Sequence, residues 1–371
     1  MTPAAVLALH RALVEIPSVS HQERAIAEFL ERTLREHGAR VERIGDNVLA
    51  LAGVGPRLIL NSHFDTVPAH AGWTRAPWCA TREADRVYGL GSNDAKASVA
   101  AMTAAFLSVL ENDGPCEVAL LIAPEEETGG QGTELAWPRL RVRGWETASV
   151  VVGEPTGLDI AVAQKGLIVT ELIAHGDGGH SATARERRAR NAISELARDL
   201  CALERIDLGP AHALLGKSSL EPTIIDGGVA RNMVPSRARC IVDVRTVPGF
   251  SPANIVESLR RNVTGELRVL SDRLTPCNCD VDSALVRAAV AARPAARLVG
   301  SPTMSDLVHF VGVPAVKCGP GESARSHQPD EYVLESEILA GADFYHSLIE
   351  RFAREVSDES TVLYRGGEAH P

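Results

Sequence analysis

Histidines and carboxylates follow several short apolar runs of this 371-residue chain. His63 and Asp65 form a His-x-Asp motif directly after the apolar run 58–60, and Glu154 follows the run 150–152. Short apolar runs bounded by polar residues are typical of buried β-strands. Ligands of open α/β sheets bind beyond the carboxyl ends of the strands, so we expect these side chains to converge at one edge of a sheet.

A run of three glutamates follows another apolar run. Glu125, Glu126 and Glu127 come after residues 118–122 and directly before a Thr-Gly-Gly turn. Adjacent carboxylates repel one another, so their placement beside a buried strand is costly unless cations neutralise them. The run therefore indicates a cation site rather than a solvated charge cluster.

Each motif alone has a simpler explanation. A histidine near an aspartate is a common surface pair, and an aspartate before a helix, such as Asp94, often caps that helix. The joint pattern is more specific, because it supplies two histidines and three carboxylates, a ligand set suited to Zn²⁺, Co²⁺ or Mn²⁺. The five residues are His63, Asp94, Glu127, Glu154 and His327.

Three segments connect this pattern to a known family. They are residues 87–95, 301–306 and 317–321, the last leading to Ser326 and His327. With them the chain resembles, to about residue 352, the dinuclear metallo-amidohydrolases that include acetylornithine deacetylase, succinyl-diaminopimelate desuccinylase, aminoacylase and glutamate carboxypeptidase. The branch it resembles most is that of the short acetylornithine, succinylornithine and acetylcitrulline deacylases of arginine biosynthesis.

The resemblance implies two divalent metal ions per chain, with zinc expected and cobalt as an alternative. His63 and Glu154 would bind the first ion, Glu127 and His327 the second, and Asp94 both. Since two cations would share these ligands, the crowding of carboxylates would be neutralised.

The resemblance also implies roles in catalysis. Asp65 would orient His63, and Glu126 would act as general base, taking a proton from the attacking water and delivering it to the leaving amine. The family usually has Asp-Glu-Glu where this chain has Glu125-Glu126-Glu127, and the following Thr128 and Gly129 favour Glu126 as the base.

A second set of residues comes from the middle of the chain. His180, in the segment 178–182, matches a lid motif whose histidine donates to the oxyanion, typically in a neighbouring subunit. Arg245 is suited to bind a substrate carboxylate, although an ion pair with Asp243 or another acid would explain it nearly as well. The resemblance implies substrate contacts for Asn232 and Arg245, and Lys165 and Arg325 are further candidates for substrate binding.

The alternation of apolar runs and helical patterns predicts the elements that hold these residues. We expect an α/β catalytic domain split around an inserted α+β domain. The resemblance implies a mixed sheet in the catalytic domain and makes the insert the domain for the lid and for dimerisation. The predicted boundaries are 1–166 and 277–355 for the catalytic domain, 167–276 for the insert, and 356–371 for a disordered tail.

Composition excludes other classes of protein. The formal net charge is −10 and 23% of residues are charged, without the basic face expected of a nucleic-acid-binding protein. The chain has neither a signal-peptide pattern nor an apolar run near the roughly 20 residues that span a membrane. Seven cysteines without a Cys-x-x-Cys pair favour reduced thiols, including Cys277 and Cys279, and a cytoplasmic location.

These observations predict a homodimeric enzyme that hydrolyses the amide bond of a small N-acyl-amino acid. N-acetylornithine and N-acetylcitrulline are the expected substrates. Succinyl-diaminopimelate, succinylornithine and a dipeptide are alternatives with the same chemistry. A non-catalytic binding protein on the same fold is an alternative of another class, and the complete set of ligand and base positions argues against it.

Overall fold

The structure, a computed structural model, describes residues 1–53, 55–112, 114 and 117–365. Its contacts divide the chain into two compact units. Unit 1 comprises residues 1–162, 279–299 and the chain from 305 onward, and unit 2 comprises residues 163–278 and 300–304.

Unit 1 is built on a mixed sheet in the order β1-β2-β6-β3-β7-β15-β8. The central pairs β6–β3, β3–β7 and β7–β15 are parallel, whereas β1–β2, β2–β6 and β15–β8 are antiparallel. This arrangement confirms the predicted α/β class with a mixed sheet. The strands are β1 (Arg40–Ile44), β2 (Asn47–Ala52), β3 (Leu58–His63), β6 (Val118–Ala123), β7 (Ser149–Val152), β8 (Ile160–Gln164) and β15 (Ala315–Lys317).

Six helices and a small sheet accompany the mixed sheet among the described residues of unit 1. The largest apolar cluster joins β2, β3 and β6 to α2, α3, α7 and α8, so helices cover the sheet as expected for this class. The helices are α1 (Pro3–Glu15), α2 (Arg24–Glu36), α3 (Lys96–Glu111), α7 (Ala284–Ala292) and α8 (Glu335–Arg365), with α4 (Gln131–Arg141) beside the turn that follows β6. The small sheet has the order β16-β5-β4, from Tyr332–Leu334, Arg86–Tyr88 and Thr81–Glu83, and β14 spans Leu298–Ser301.

The residues that end or follow the parallel strands lie at one edge of the sheet. β3 ends at His63, β6 leads to the short 3-10 turn Glu126–Thr128, and β7 leads to Glu154. All six residues of β3 and of β6 are buried, which confirms the prediction of buried strands from their apolar runs. The carboxyl edge of this sheet is therefore where the predicted ligands meet.

Unit 2 contains an antiparallel sheet in the order β10-β11-β9-β12. Its apolar cluster joins β9 and β11 to α5 and α6, and the other face of β11 carries alternating polar residues such as Arg239, Asp243 and Arg245. The elements are β9 (Gly166–His175), α5 (Ala192–Leu203), β10 (Ser219–Gly227), β11 (Arg237–Thr246), α6 (Pro252–Asn262) and β12 (Glu266–Leu274), and β13 (Cys277–Asn278) pairs with Ala163 and Gln164.

Two helix starts differ from the sequence prediction. The pattern Ser20-x-x-Glu23 suggests a capping box, but no side chain caps α2, because Ser20 instead donates to Asp65. The charged segment 185–203 likewise suggests a helix from residue 185, but the helix begins at Ala192, where the Asn191 side chain accepts from two main-chain N–H groups.

The end of the chain continues as helix past residue 356, since α8 reaches Arg365. Residues 366–371 of the predicted tail lie outside the described residues. Cys277 and Cys279 are free thiols, as expected. Among the described helices, none is both long and apolar enough to cross a bilayer.

Candidate metal centre and active site

His63 is buried at the end of β3 with both ring nitrogens against acceptors. Nδ1 lies 3.3 Å from the Asp65 carboxylate, while Nε2 lies 3.3 Å from Asp94 Oδ1 and 3.6 Å from Glu154 Oε1. Burial alone would lower the pKa of His63, but Asp65 and Asp94 raise it well above its usual range. The surroundings of Nε2 therefore stabilise positive charge, whether on a proton or on a metal ion.

Asp65 organises both the histidine and the glutamate turn. Its buried carboxylate accepts the Ser20 hydroxyl at 2.8 Å and the main-chain N–H groups of Glu126 and Glu127 at 3.1 and 3.2 Å. Burial would raise the pKa of Asp65, yet the hydrogen bond with His63 helps to lower it below its usual value. An ionised Asp65 thus fixes the donor nitrogen of His63, as carboxylates do behind metal-binding histidines.

The three consecutive glutamates do not all face the site. Glu125 has a left-handed backbone with φ of 60°, and its carboxylate lies 3.4 Å from His21. Glu126 turns inward, with Oε2 4.0 Å from His63 Nε2. The left-handed backbone of Glu125 thus turns its side chain away from those of the two glutamates that follow.

Asp94 faces both predicted histidine ligands, each with a different oxygen. Oδ1 is 3.3 Å from His63 Nε2, and Oδ2 is 3.9 Å from His327 Nε2. His327 Nε2 also lies 2.9 Å from Glu127 Oε1. Burial would raise the pKa of Asp94, but the two histidines lower it, which keeps the carboxylate ionised between them.

The donor atoms fit divalent metal ions. His63, Asp94 and Glu127 form one group, and His63, Glu126 and Glu154 form a second, each with ligand atoms within 4.8 Å of one another. Glu154 Oε1 is buried without a hydrogen-bond partner among the described residues. Burial raises the pKa of Glu154 to about 8 and that of Glu126 well above its usual range. Cations would remove this penalty by neutralising the carboxylates.

The sequence analysis gave no catalytic or binding role to two residues near the site, the buried Asp306 and the exposed His70. Asp306 accepts the Thr133 hydroxyl at 2.6 Å, and burial raises its pKa to about 6. His70 Nε2 lies 3.0 Å from the carbonyl oxygen of His327, so it supports that segment. Asp306 is the last residue of the segment 301–306, on which the family resemblance partly rests. That segment was the one sequence signal that pointed to Asp306.

His180 lies in the loop of unit 2 that the lid motif predicts. Its Nδ1 accepts the N–H of Ala182 at 3.1 Å, so the neutral ring carries its proton on Nε2. The main-chain oxygen of Asn232 accepts the N–H of Ser181 at 2.9 Å. Asn232 and His180 therefore belong to two paired segments of unit 2.

The three cationic residues predicted to bind substrate have partners within their own units. Arg245 forms two hydrogen bonds with Asp243, at 2.9 and 3.1 Å, as in the structural alternative. Arg325 forms two with Glu337, at 2.7 and 3.0 Å. The Lys165 ammonium donates to a main-chain carbonyl group at 3.1 Å. The acceptor of this bond is therefore a neutral group and not a carboxylate.

Comparison with known proteins identifies the family to which the chain is similar. Residues 59–351 match peptidase family M20/M25/M40. The chain is 31% identical over 392 aligned residues to the succinyl-diaminopimelate desuccinylase of Methylorubrum populi, and the alignment covers 95% of this chain and 99% of the relative.

Solved structures share the fold. The M20 metallo-carboxypeptidase Sso-CP2 of Sulfolobus solfataricus has a TM-score of 0.77 at 21% identity, covering 94% of this chain and 99% of that chain. A dinuclear metal-binding M20 peptidase of Bacillus subtilis has a TM-score of 0.74 at 15% identity, covering 95% and 98%. The fold, the carboxylate–histidine cluster and the sequence match agree, and the chain belongs to the M20 family of metal-dependent amide-bond hydrolases.

Proposed function

We propose that the enzyme removes a small acyl group from the α-nitrogen of an amino acid, using two divalent metal ions. The observation that carries this proposal is the position of Asp94, whose two oxygens face two different histidines. A carboxylate placed in this way is suited to bridge two ions, and a pair of ions is suited to amide hydrolysis.

The residues divide between two metal positions in this proposal. His63 and Glu154 hold one ion, Glu127 and His327 hold the other, and Asp94 belongs to both. Zinc is the expected native metal because imidazole and carboxylate ligands suit it, and cobalt is the alternative. Ions held by these residues would supply Lewis-acid polarisation of the scissile carbonyl and a lower pKa for water.

Glu126 is the proposed general base. Its carboxylate lies 4.0 Å from His63 Nε2, and its main chain is fixed by Asp65. It accepts a proton from the attacking water at a carboxylate oxygen and passes that proton to the leaving nitrogen. The burial that raises the pKa of Glu126 favours its protonated form, which it needs between these two transfers.

His180 is the proposed donor to the oxyanion. The bond from Ala182 to Nδ1 leaves Nε2–H as the available donor of the neutral ring. We also propose a homodimer formed through unit 2, in which this histidine serves the neighbouring site. Two large apolar side chains on the edge strand β10 support an interface there, because Ile224 is 60% and Ile225 66% exposed.

The proposed substrates are N-acetylornithine and N-acetylcitrulline, as in arginine biosynthesis, in the cytoplasm. The physical support comes from charge. A succinyl group would require a second cation besides the one that binds the α-carboxylate. Arg245 and Arg325 already pair with carboxylates, which leaves Lys165, whose ammonium donates to a main-chain carbonyl group, as the candidate cation for a second anionic group.

N-succinyl-diaminopimelate is the second candidate substrate, favoured by the full-length similarity to a desuccinylase. Side-by-side kinetics on the three compounds decide between the candidates. We expect kcat/KM for an acetyl substrate to exceed that for N-succinyl-diaminopimelate by at least about tenfold, which is about 1.4 kcal/mol in transition-state binding. A preference for the succinylated compound would reject the acetyl assignment.

A further inference from the structure

Glu331 has a buried carboxylate bound almost entirely by main-chain groups of another segment. The residue lies four positions after His327 and is 2% exposed. Oε1 accepts the N–H groups of Asn93 and Asp94, both at 2.9 Å, and Oε2 accepts the N–H of Gly91 at 3.1 Å. Three donors of the loop 91–94 therefore converge on one carboxylate.

The contact continues through the main chain on both sides. The carbonyl oxygen of Glu331 accepts the N–H of Gly89 at 2.9 Å. The Asn93 side chain accepts the N–H of Glu322 at 3.0 Å and donates to its carbonyl oxygen at 3.1 Å. The segment 322–331, which carries His327, is thus joined to the loop that carries Asp94.

The acceptors that Glu331 offers matter for this contact. All three groups that face its oxygens are N–H donors, and both oxygens of its carboxyl group accept from them. An amide of the same shape would offer one accepting oxygen and place its NH₂ group against a donor. Burial raises the pKa of Glu331 to about 8, and the three N–H donors oppose that shift because they favour the ionised carboxylate.

We propose that Glu331 is a positioning residue for Asp94. By fixing the main chain at Asn93 and Asp94, it sets the Asp94 carboxylate between His63 and His327, at 3.3 and 3.9 Å from their Nε2 atoms. The inference rests on the proposed function in one respect, the assignment of Asp94 as a metal ligand.

The test is the affinity of the metal-free protein for Zn²⁺, measured by competition with a chromophoric chelator. We expect Glu331→Gln to bind Zn²⁺ about 10–100-fold more weakly than the unmodified protein, as when groups that support metal ligands are removed. Raising the Zn²⁺ concentration should then restore part of the activity, which a general folding defect would not allow.

Glu335→Gln is the matched control. Glu335 is also a buried glutamate, but its carboxylate accepts from Arg11 and Arg82 and lies outside the loop contact. Its variant should keep the affinity of the unmodified protein within about twofold, since small changes of this size are ordinary for sites away from the ligands. Equal weakening in both variants would overturn the specific role of Glu331.

A second variant covers the case in which Glu331→Gln does not fold. Glu331→Asp keeps the carboxyl group but withdraws it by one methylene, and we expect about tenfold weaker Zn²⁺ binding from the lengthened hydrogen bonds. Unchanged affinity in the folded variant, Gln or Asp, would overturn the proposal. If the unmodified protein itself bound no metal, the proposed function would fail instead, so the two failures are distinct.

Discussion

We call the carboxyl edge of the unit 1 sheet, with His63, Asp65 and the glutamate turn, the metal edge, and residues 178–182 of unit 2 the lid loop. These two regions present their polar groups in opposite ways. In unit 1, His63 and Asp65 are buried and hold each other, and Asp65 also holds the glutamate turn. In unit 2, His180 is exposed and bonds within its own loop. Buried charges need fixed partners because desolvation is costly, so the metal edge is organised in advance. An exposed donor can meet its partner later, when substrate or a second subunit arrives.

The largest expected effect on activity is at Glu126, on the metal edge. Glu126→Gln removes the proton acceptor, so kcat should fall by roughly 10²–10⁴-fold while two metal ions remain bound. Steady-state kinetics with elemental analysis checks this. Glu125→Gln, which alters the neighbouring carboxylate beside His21, is the control and should retain most activity. If Glu126→Gln loses metal while Glu127→Gln keeps it, the roles of these two glutamates are exchanged.

A smaller loss is expected at the lid. His180→Ala removes the proposed oxyanion donor and should lower kcat by roughly 10²–10³-fold, with metal content unchanged. His175→Ala alters another exposed histidine of unit 2 and should retain activity. Equal activity of the His180 variant and the unmodified enzyme would remove the lid from the mechanism.

The assembly of the lid can be tested at the edge strand β10. Replacing Ile224 and Ile225 by lysine places two charges on the exposed apolar patch and should shift the protein from dimer to monomer in sedimentation velocity. Activity per chain should fall at least about tenfold, since a monomer would lack the donor from its partner. Val142→Lys, at an 86% exposed apolar residue of unit 1, should leave the dimer intact. An unmodified enzyme that is monomeric and fully active on dilution would contradict the proposed assembly.

The smallest expected effect concerns the free energy of unfolding, through a buried histidine of unit 1. His10 on α1 is buried, its Nε2 donates to the carbonyl oxygen of Ser92 at 2.8 Å, and burial lowers its pKa from 6.5 to about 4. Between these values the unfolded chain binds a proton that the folded chain does not. The free energy of unfolding should therefore fall as the pH decreases from 6.5 towards 4, by about 3 kcal/mol in total, and this term is absent above pH 6.5.

His10→Gln isolates that term, because glutamine does not titrate. In denaturant titrations at pH 7 and 4.5, the variant should lose about 2–3 kcal/mol less stability than the unmodified protein. His175→Gln, at an exposed histidine, is the control and should follow the unmodified protein. Equal acid losses in all three proteins would show that His10 is not held neutral.

Much of the metal edge was predictable because its ligands follow apolar runs in the sequence. His63, the glutamate turn and Glu154 each come after a buried parallel strand, and parallel strands bring their carboxyl ends together. The α/β class followed from the same runs, and the mixed sheet followed from the family resemblance. The ligand roles and the limits of the inserted domain stay predictions.

The supporting contacts were not predictable, because local pattern and tertiary structure compete for the same residues. Ser20 and Glu23 match a helix cap, yet Ser20 donates to Asp65, 45 residues away, and Glu23 accepts from the N–H of Glu125, 102 residues away. Glu331 follows His327 closely, but no periodicity indicates that it binds the loop 91–94. In unit 2, the sequence left two explanations of Arg245 open, substrate binding and a structural ion pair, and only the structure shows the pair with Asp243.

Elemental analysis of dialysed, fully active enzyme tests the metal centre most directly. We expect two divalent transition-metal ions per chain, loss of activity when a chelator removes them, and recovery when Zn²⁺ or Co²⁺ is restored. This result would agree with the placement of Asp94 between His63 and His327. Full activity in protein that contains no transition metal would contradict the proposed chemistry.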